Sequence, residues 1–222
     1  MKSKISFNLI SVLLVILTSA KVSVAHPNRA NRDFYITQNP CEATVQTQSA
    51  MSACAAWKYE QADNTLNRLY RQLRSQLSSQ NQNLLQEAQL SWIKFRDNEC
   101  LFSVYSSRTT PAHSMGVGIQ FACATALTEK RNQELEYYLQ NQRPPSSHDN
   151  YQSADHRLNQ VYQQAIRATG SPEKLREAQR AWIPFRDTVC NFESNLLAGR
   201  NSCLTRLTEE RTERLSRIAQ RH

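Results

Sequence analysis

The sequence predicts an all-α protein made of two tandem, disulfide-stapled three-helix modules after a cleaved signal peptide. Only 4 Gly and 7 Pro occur in 222 residues, which is too few for folds that depend on many tight turns. Apolar residues recur at spacings of three and four, the pattern of amphipathic helices. Two long stretches of the chain are also similar to each other, which indicates a duplication.

The N-terminal segment 1–25 has the pattern of a secretory signal peptide. Lys2 and Lys4 precede an apolar run over 5–17, and the small residues Ser23 and Ala25 offer a cleavage site. The run is shorter than the roughly 20 residues that a membrane span needs. The first cysteine, Cys41, does not follow the cleavage site directly, so no lipid anchor is expected. We therefore expect a periplasmic or secreted protein without stable membrane insertion.

The chain is basic, and its basic residues are dispersed along the sequence. The formal net charge is +8. Loss of residues 1–25 would leave 24 Lys and Arg against 19 Asp and Glu, a net charge of +5. Basic residues alternate with acidic ones instead of forming a stripe, so a nucleic-acid partner is not expected.

The same sequence pattern occurs twice in the chain. EAQLSWIKFRDNEC at 87–100 and EAQRAWIPFRDTVC at 177–190 are identical at nine of fourteen positions. ADNTLNRLY from Ala62 matches ADHRLNQVY from Ala154, and CATALTEKRNQEL from Cys123 matches CLTRLTEERTERL from Cys203. A linker composition rich in Pro and Ser separates the copies. We predict an N-terminal linker at 26–40, a module at 41–140, a linker at 141–149 and a second module at 150–222.

Each module is predicted to contain three helices. Ser79 followed by Gln82 is typical of a capping box at the start of the second helix. Ser171 and Pro172 favour the start of the fifth helix. Pro184 lies inside this helix and predicts a kink there. The expected helices span 47–78, 81–107, 116–140, 150–168, 171–197 and 202–219.

The repeat predicts the disulfide pairing. Six Cys in an exported chain favour three disulfides, whereas zinc sites use CxxC-type spacing, which is missing here. The second module keeps only two cysteines, so we expect Cys190 to pair with Cys203 and, by equivalence, Cys100 with Cys123. Cys41 is then left for Cys54. No metal or other cofactor is expected.

Polar residues on the apolar stripes recur in both modules. Gln89, Arg96 and Arg131 correspond to Gln179, Arg186 and Arg211, and a guanidinium on a packed face needs a carboxylate or several carbonyls. We favour partly buried ion pairs of Asp63 with Arg96 or Arg131, and of Asp155 with Arg186 or Arg211. Replacing Asp63 with Ala is then expected to cost several kcal/mol. The alternative is a pocket in which the arginines bind an anionic ligand.

The tryptophans and the residue types used in catalysis give no indication of a carbohydrate site or an active site. Trp92 and Trp182 are flanked by apolar residues at helical spacing, which favours core packing over carbohydrate stacking. No Ser/His/Asp or Cys/His arrangement repeats, and the cysteines are better used as bridges. We therefore expect a binding protein and not an enzyme.

The three repeated blocks, ADNTLNRLY, EAQLSWIKFRDNEC and CATALTEKRNQEL, together resemble the LprI-type lysozyme inhibitor family. The resemblance covers 41 to about 140 fully and 150–219 again without the first Cys pair. It implies a small Cys-bridged helical protein of the bacterial envelope whose protein partner is lysozyme, which it binds and inhibits. No binding residue can be carried over from the family.

A surface element that enters the enzyme's cleft would be needed for inhibition. Our candidate is a loop from Leu101 to Ala122 that contains Tyr105, Arg108, His113 and Met115, with a plain structural loop as the alternative. Two other functions remain open. One is a periplasmic scaffold or stress protein that binds peptidoglycan, anionic lipid or another envelope protein, and the other is an immunity-type protein. No pattern specifies the oligomeric state.

Overall fold

A computed structural model describes residues 39–42, 47–106, 112–146 and 150–220. The predicted signal peptide and positions 26–38 of the predicted linker lie outside this part of the chain. Within it the protein is all-helical, as predicted, with no strand. A 3-10 turn at Pro40–Glu42 precedes six α-helices: α1 Gln48–Ser75, α2 Ser79–Tyr105, α3 Ala112–Leu139, α4 Tyr151–Ala168, α5 Pro172–Leu197 and α6 Arg200–Ala219.

The helix starts follow local capping chemistry. The side chains of Thr47, Ser78 and Asn150 accept hydrogen bonds from backbone amides three residues on, at 3.1, 3.4 and 2.9 Å, which satisfies an amide that the helix leaves unpaired. The cap of α2 is therefore Ser78, and the predicted cap Ser79 is the first helical residue. Pro172 opens α5, and that helix continues through Pro184.

The helices pack into one compact unit that contains both sequence repeats. We call 39–146 the first half and 150–220 the second half. In the first half α1 packs along α3, and in the second half α4 packs along α6. The two middle helices, α2 and α5, pack against each other and join the halves through a shared core. Trp92 and Trp182 lie in this core, 2 % and 3 % exposed.

All three predicted disulfides are present. Cys100–Cys123 joins α2 to α3, and Cys190–Cys203 joins α5 to α6, each with a Cα–Cα distance of 5.4 Å. Cys41–Cys54 ties the 3-10 turn to α1. The equivalent bridges thus hold the middle helix of each half to its third helix, whereas the remaining bridge belongs to the first half alone.

Candidate functional site

The repeated arginines Arg96 and Arg186 lie in matching aromatic clusters on the two halves. The Arg96 guanidinium lies 5.0 Å from the centroid of the Trp92 ring and 5.6 Å from that of Tyr59. The Arg186 guanidinium lies 5.1 Å from Trp182 and 5.6 Å from Tyr151. Cation–π contact of this kind stabilises a partly buried charge.

Each cluster carries two acids at its solvent edge. Arg96 Nη2 lies 2.8 Å from Asp97 Oδ1, and Arg96 Nη1 lies 3.8 Å from Asp63 Oδ1. The second half repeats this geometry, with Asp187 at 2.8 Å and Asp155 at 3.7 Å from Arg186. The structure thus brings Arg96, not Arg131, to Asp63. The neighbouring aspartate, which the sequence analysis did not consider, is the closer partner in both halves.

Arg131 and Arg211 lie elsewhere, in the core, where each is 2 % exposed or less. Arg131 Nε donates to Gln89 Oε1 at 3.2 Å, and Arg211 Nε donates to Gln179 Oε1 at 2.9 Å. The repeated glutamines therefore position the repeated arginines. Their carboxylate partners differ, because Arg131 pairs with Glu134 on its own helix while Arg211 pairs with Glu99 of the first half, both at 2.7 Å.

These arginines belong to a buried charge layer between the halves. Glu99 accepts hydrogen bonds from Arg211 and Arg214 of α6. Arg206 Nη1 lies 3.3 Å from Glu134 Oε1, and Arg206 Nη2 lies 2.8 Å from Glu193 Oε2. The layer, as we define it, consists of Glu99, Arg131, Glu134, Glu193, Arg206, Arg211 and Arg214. With the exception of Arg214, each of these residues is a buried one.

The arginines hold the acids of this layer in their charged form. Burial alone would raise the pKa of Glu99, but Arg211 and Arg214 outweigh it and the pKa falls below its usual value. The pKa of Glu134 is lowered for the same reason by Arg131 and Arg206. Tyr138 donates its hydroxyl proton to Glu193 Oε2 at 2.9 Å, and burial raises the pKa of this phenol well above the ordinary value.

The acids of the charge layer, together with Arg206 and Arg214, were not predicted from the sequence. A signal was available, because Glu99 follows Trp92 and Phe95 at helical spacing and so lies on the apolar stripe of α2. Glu134 likewise lies between Arg131 and Tyr138 on α3. A lone acid on an apolar stripe is a sign of a buried partner.

The segment from Leu101 to Ala122, our candidate for a binding loop, is helical over 101–105 and 112–122, so it is not one long loop. The predicted helix bounds 107 and 116 are corrected to 105 and 112. α2 continues to Tyr105 and α3 begins at Ala112. Arg108 lies outside the described residues, as does the side chain of His113. Two glycines let α3 approach its neighbours closely: a Cβ on Gly118 would lie 3.3 Å from Ser52 Oγ, and one on Gly116 would lie 3.1 Å from Val104 Cγ1.

Helical extensions distinguish the first half from the second. α1 begins about three turns before Tyr59, whereas α4 begins at the equivalent residue, Tyr151. α3 begins about two turns before Gln120, whereas α6 begins at the equivalent Arg200. At 1.5 Å per residue these extensions are roughly 16 and 12 Å long. We call 48–58, 112–119 and Tyr105 together the first-half tip.

The first-half tip exposes apolar side chains. Met51, Tyr105, Met115 and Val117 are 44 to 60 % exposed. Beside them, between α1 and α3, lies a shallow groove of about 370 Å³ whose walls include Ala55, Ala122 and Ala126, with Lys58 and Glu129 as its charged residues. An exposed apolar cluster with a polar border is typical of a protein-binding surface.

We also searched the described residues for a metal site and for a membrane-spanning helix. No group of three or more His, Cys, Asp or Glu side chains there could hold a metal ion. Among the same residues no helix is long and apolar enough to cross a bilayer.

Comparison with known proteins assigns the family. The family model described as lysozyme inhibitor LprI matches residues 41–135 and 146–215, one segment in each half. That family is of a non-enzymatic inhibitor type, and together with the three disulfides it indicates an extracytoplasmic protein. No curated protein matches the chain in sequence.

A solved structure shares the fold. The crystal structure of an uncharacterised protein from Burkholderia thailandensis has a TM-score of 0.57 and 17 % sequence identity, covering 89 % of this chain and 98 % of that one. At this sequence identity the similarity shows a shared fold only. Because the family model spans most of the described residues in both halves, the chain belongs to the lysozyme inhibitor LprI family.

Proposed function

We propose that this protein binds lysozyme in the bacterial envelope and inhibits it, and that the first-half tip makes the contact. The family match over both halves carries the proposal that lysozyme is the partner. The position of the exposed apolar side chains supports the choice of surface: of the six large hydrophobic residues exposed in the described part of the chain, four lie on the tip.

Apolar contact suits this partner better than charge attraction. The mature chain has an expected net charge of +5, and the commonest animal lysozymes are themselves basic. Their repulsion is screened beyond about 8 Å at physiological salt, so it slows encounter more than it weakens a formed complex. Burial of Met51, Met115 and Val117 would supply the favourable free energy, since removal of apolar area from water is the main favourable term in most protein association.

A turbidity assay tests the inhibition. Purified residues 26–222 are added to lysozyme acting on bacterial cell walls, and we expect dose-dependent protection that saturates near a stoichiometric ratio. Protection should weaken little as salt is raised, because the contact is mainly apolar. If no lysozyme type is inhibited, the proposal fails and the alternative gains, namely an envelope scaffold that binds peptidoglycan or another envelope protein.

A pair of matched variants tests the surface. Val117 and Leu90 are both 60 % exposed, but only Val117 lies on the tip. We expect Val117→Lys to raise the concentration needed for half protection at least tenfold, the change that about 1.4 kcal/mol produces. Leu90→Lys is expected to leave it unchanged. Equal effects of the two variants, or none from Val117→Lys, would remove the tip from the proposal and leave inhibition itself standing.

A further inference from the structure

The interface between the halves has like residues at its centre. The rings of Phe95 and Phe185 stack with their centroids 5.1 Å apart and their planes at 3°. These two residues are equivalent in the sequence repeat. Equivalent residues meet in this way where an approximate two-fold axis passes between two similar units. The apolar centre would therefore suit a pair of first halves, or of second halves, as well as it suits the observed pair.

The charge layer around this centre is different, because it holds unlike residues at equivalent positions. Glu99 of the first half corresponds to Val189 of the second, and Glu134 corresponds to Arg214. Arg206 of the second half corresponds to Ala126 of the first. Glu99 and Glu134, the acids that bind α6 across the interface, thus come from the first half, and the three arginines that pair with them come from the second. Glu193, which also pairs with Arg206, belongs to the second half.

Two second halves would leave arginines without carboxylates. By the repeat, Val189 would take the place of Glu99 opposite Arg211 and Arg214, so that the fully buried Arg211 would lose its only carboxylate within 4.0 Å in the described residues. Arg206 would meet Arg214 where it now meets Glu134. A buried charge without a counter-charge is strongly unfavourable.

Two first halves would bring acids together. Glu99 would meet Glu134 in the place that Arg214 occupies now, and in the place of Arg211 it would meet Arg131, which is already paired with Glu134 of its own helix. Glu134 would meet Ala126 in place of Arg206. Like charges at a desolvated interface cost several kcal/mol and exclude the wrong partner. The observed arrangement, with one half of each kind, gives Glu99 and Glu134 arginines from the opposite half and gives the buried Arg211 a carboxylate.

We infer that the interface is selective for unlike halves: a first half accepts a second half, of its own chain or of a second copy, and rejects another first half. The apolar centre supplies attraction, and the unlike charges at three equivalent positions supply the choice of partner. The second half, which lacks the tip, is on this inference the dedicated partner of the half that carries it.

A cleavable full-length protein tests this selectivity. A protease site is placed at 147–149, between the described ends of the halves, and two versions carry different affinity tags on the first half. After cleavage they are unfolded in urea with disulfides intact, mixed, and refolded. Capture through one tag should recover the second half in an amount equal to that of the captured first half. The recovered second half should exceed the first half that carries the other tag at least tenfold. A matching pair tagged on the second half should give the same excess.

Recovery of both tagged first halves together in comparable amount, or loss of the second half after cleavage, would overturn the inference. Glu99→Val, which places the residue of the second half in the first, should reduce the excess or abolish recovery of the pair. Glu213→Val is the control, because Glu213 is exposed and its ion pair is with Arg217 of the same helix. An unchanged excess in Glu99→Val would also overturn the inference, and the capture of the unmodified halves remains decisive if that variant does not fold.

Discussion

The two halves use the same three sequence blocks for unequal purposes. In the second half Ile183 is the one exposed large hydrophobic residue among those that the structure describes, whereas the first half exposes five. The second half contributes three arginines to the buried charge layer, and the first half contributes the acids Glu99 and Glu134. One copy of the repeat thus serves mainly to pack against the other, and the other copy carries an exposed apolar surface.

Loss of Glu99 tests this dependence with the largest expected effect. Glu99 and Arg211 are each 1 % exposed at their side chains, so Glu99→Ala leaves a buried guanidinium without its carboxylate. We expect the free energy of unfolding to fall by about 3 to 5 kcal/mol, measured by urea unfolding at pH 7. Glu213→Ala, at an exposed pair within α6, should change it by less than about 1 kcal/mol. Similar losses in the two variants would mean that the charge layer does not join the halves.

Two disulfides with the same sequence separation lie in different surroundings in the two halves. Cys41–Cys54 and Cys190–Cys203 both close 13 residues, so loop-closure entropy gives each about 3 kcal/mol. Their surroundings differ, since Cys190 and Cys203 are buried in the shared core and Cys41 is partly exposed. We expect Cys190→Ala with Cys203→Ala to lower the stability of the whole chain by about that amount.

The matching pair Cys41→Ala with Cys54→Ala should leave the main unfolding transition nearly unchanged. It should instead speed amide exchange at the start of α1, because opening there is local. Thermal unfolding and hydrogen exchange measure the two effects. If both pairs of substitutions lower the main transition equally, the tip is as much a part of the cooperative core as the second half is.

Acid is expected to weaken the layer between the halves. The folded pKa values of Glu99 and Glu134 lie below their usual 4.5, so the unfolded chain binds protons first and stability falls as pH drops below about 4.5. The pKa of Glu210, raised by burial and by Glu134, acts in the opposite direction. Urea unfolding between pH 7 and pH 3 should show the net loss, with a shallower slope in Glu99→Gln. If Glu99→Gln leaves the slope unchanged, the loss of stability in acid does not come from protonation of Glu99.

The repeat predicted the fold well because it reports on contacts within a half. It gave the helices, their packed faces and the disulfide pairs, since each of these recurs with the same spacing. It misplaced the start of α3, which is Ala112 and not 116, because Pro111, Gly116 and Gly118 are typical of a loop. There the glycines instead allow α3 to pack closely on Ser52 of α1, and tertiary packing overrides local propensity.

The same reasoning could not find the charge layer. A search for residues that recur selects Arg96, Arg131 and their equivalents, and it passes over Glu99, whose equivalent is Val189. Each ion pair of the layer that joins the two halves includes at least one residue in which the copies differ. The acids of the layer were visible as polar residues on apolar stripes, but four of their hydrogen-bond partners lie in the opposite half of the chain.

The smallest effects are expected at the repeated aspartates, where the two halves should behave alike. Asp63 and Asp155 are 35 % and 40 % exposed and lie 3.8 and 3.7 Å from their arginines, while a closer aspartate pairs with each arginine. Solvent screens such a pair, and the arginine keeps its other partner. We therefore expect Asp63→Ala and Asp155→Ala each to cost about 1 kcal/mol or less, which replaces the several kcal/mol expected from sequence. Urea unfolding of both variants measures this. A cost above about 2 kcal/mol in one half alone, which exceeds what exposed ion pairs contribute, would show that the clusters, despite equal geometry, are not equivalent.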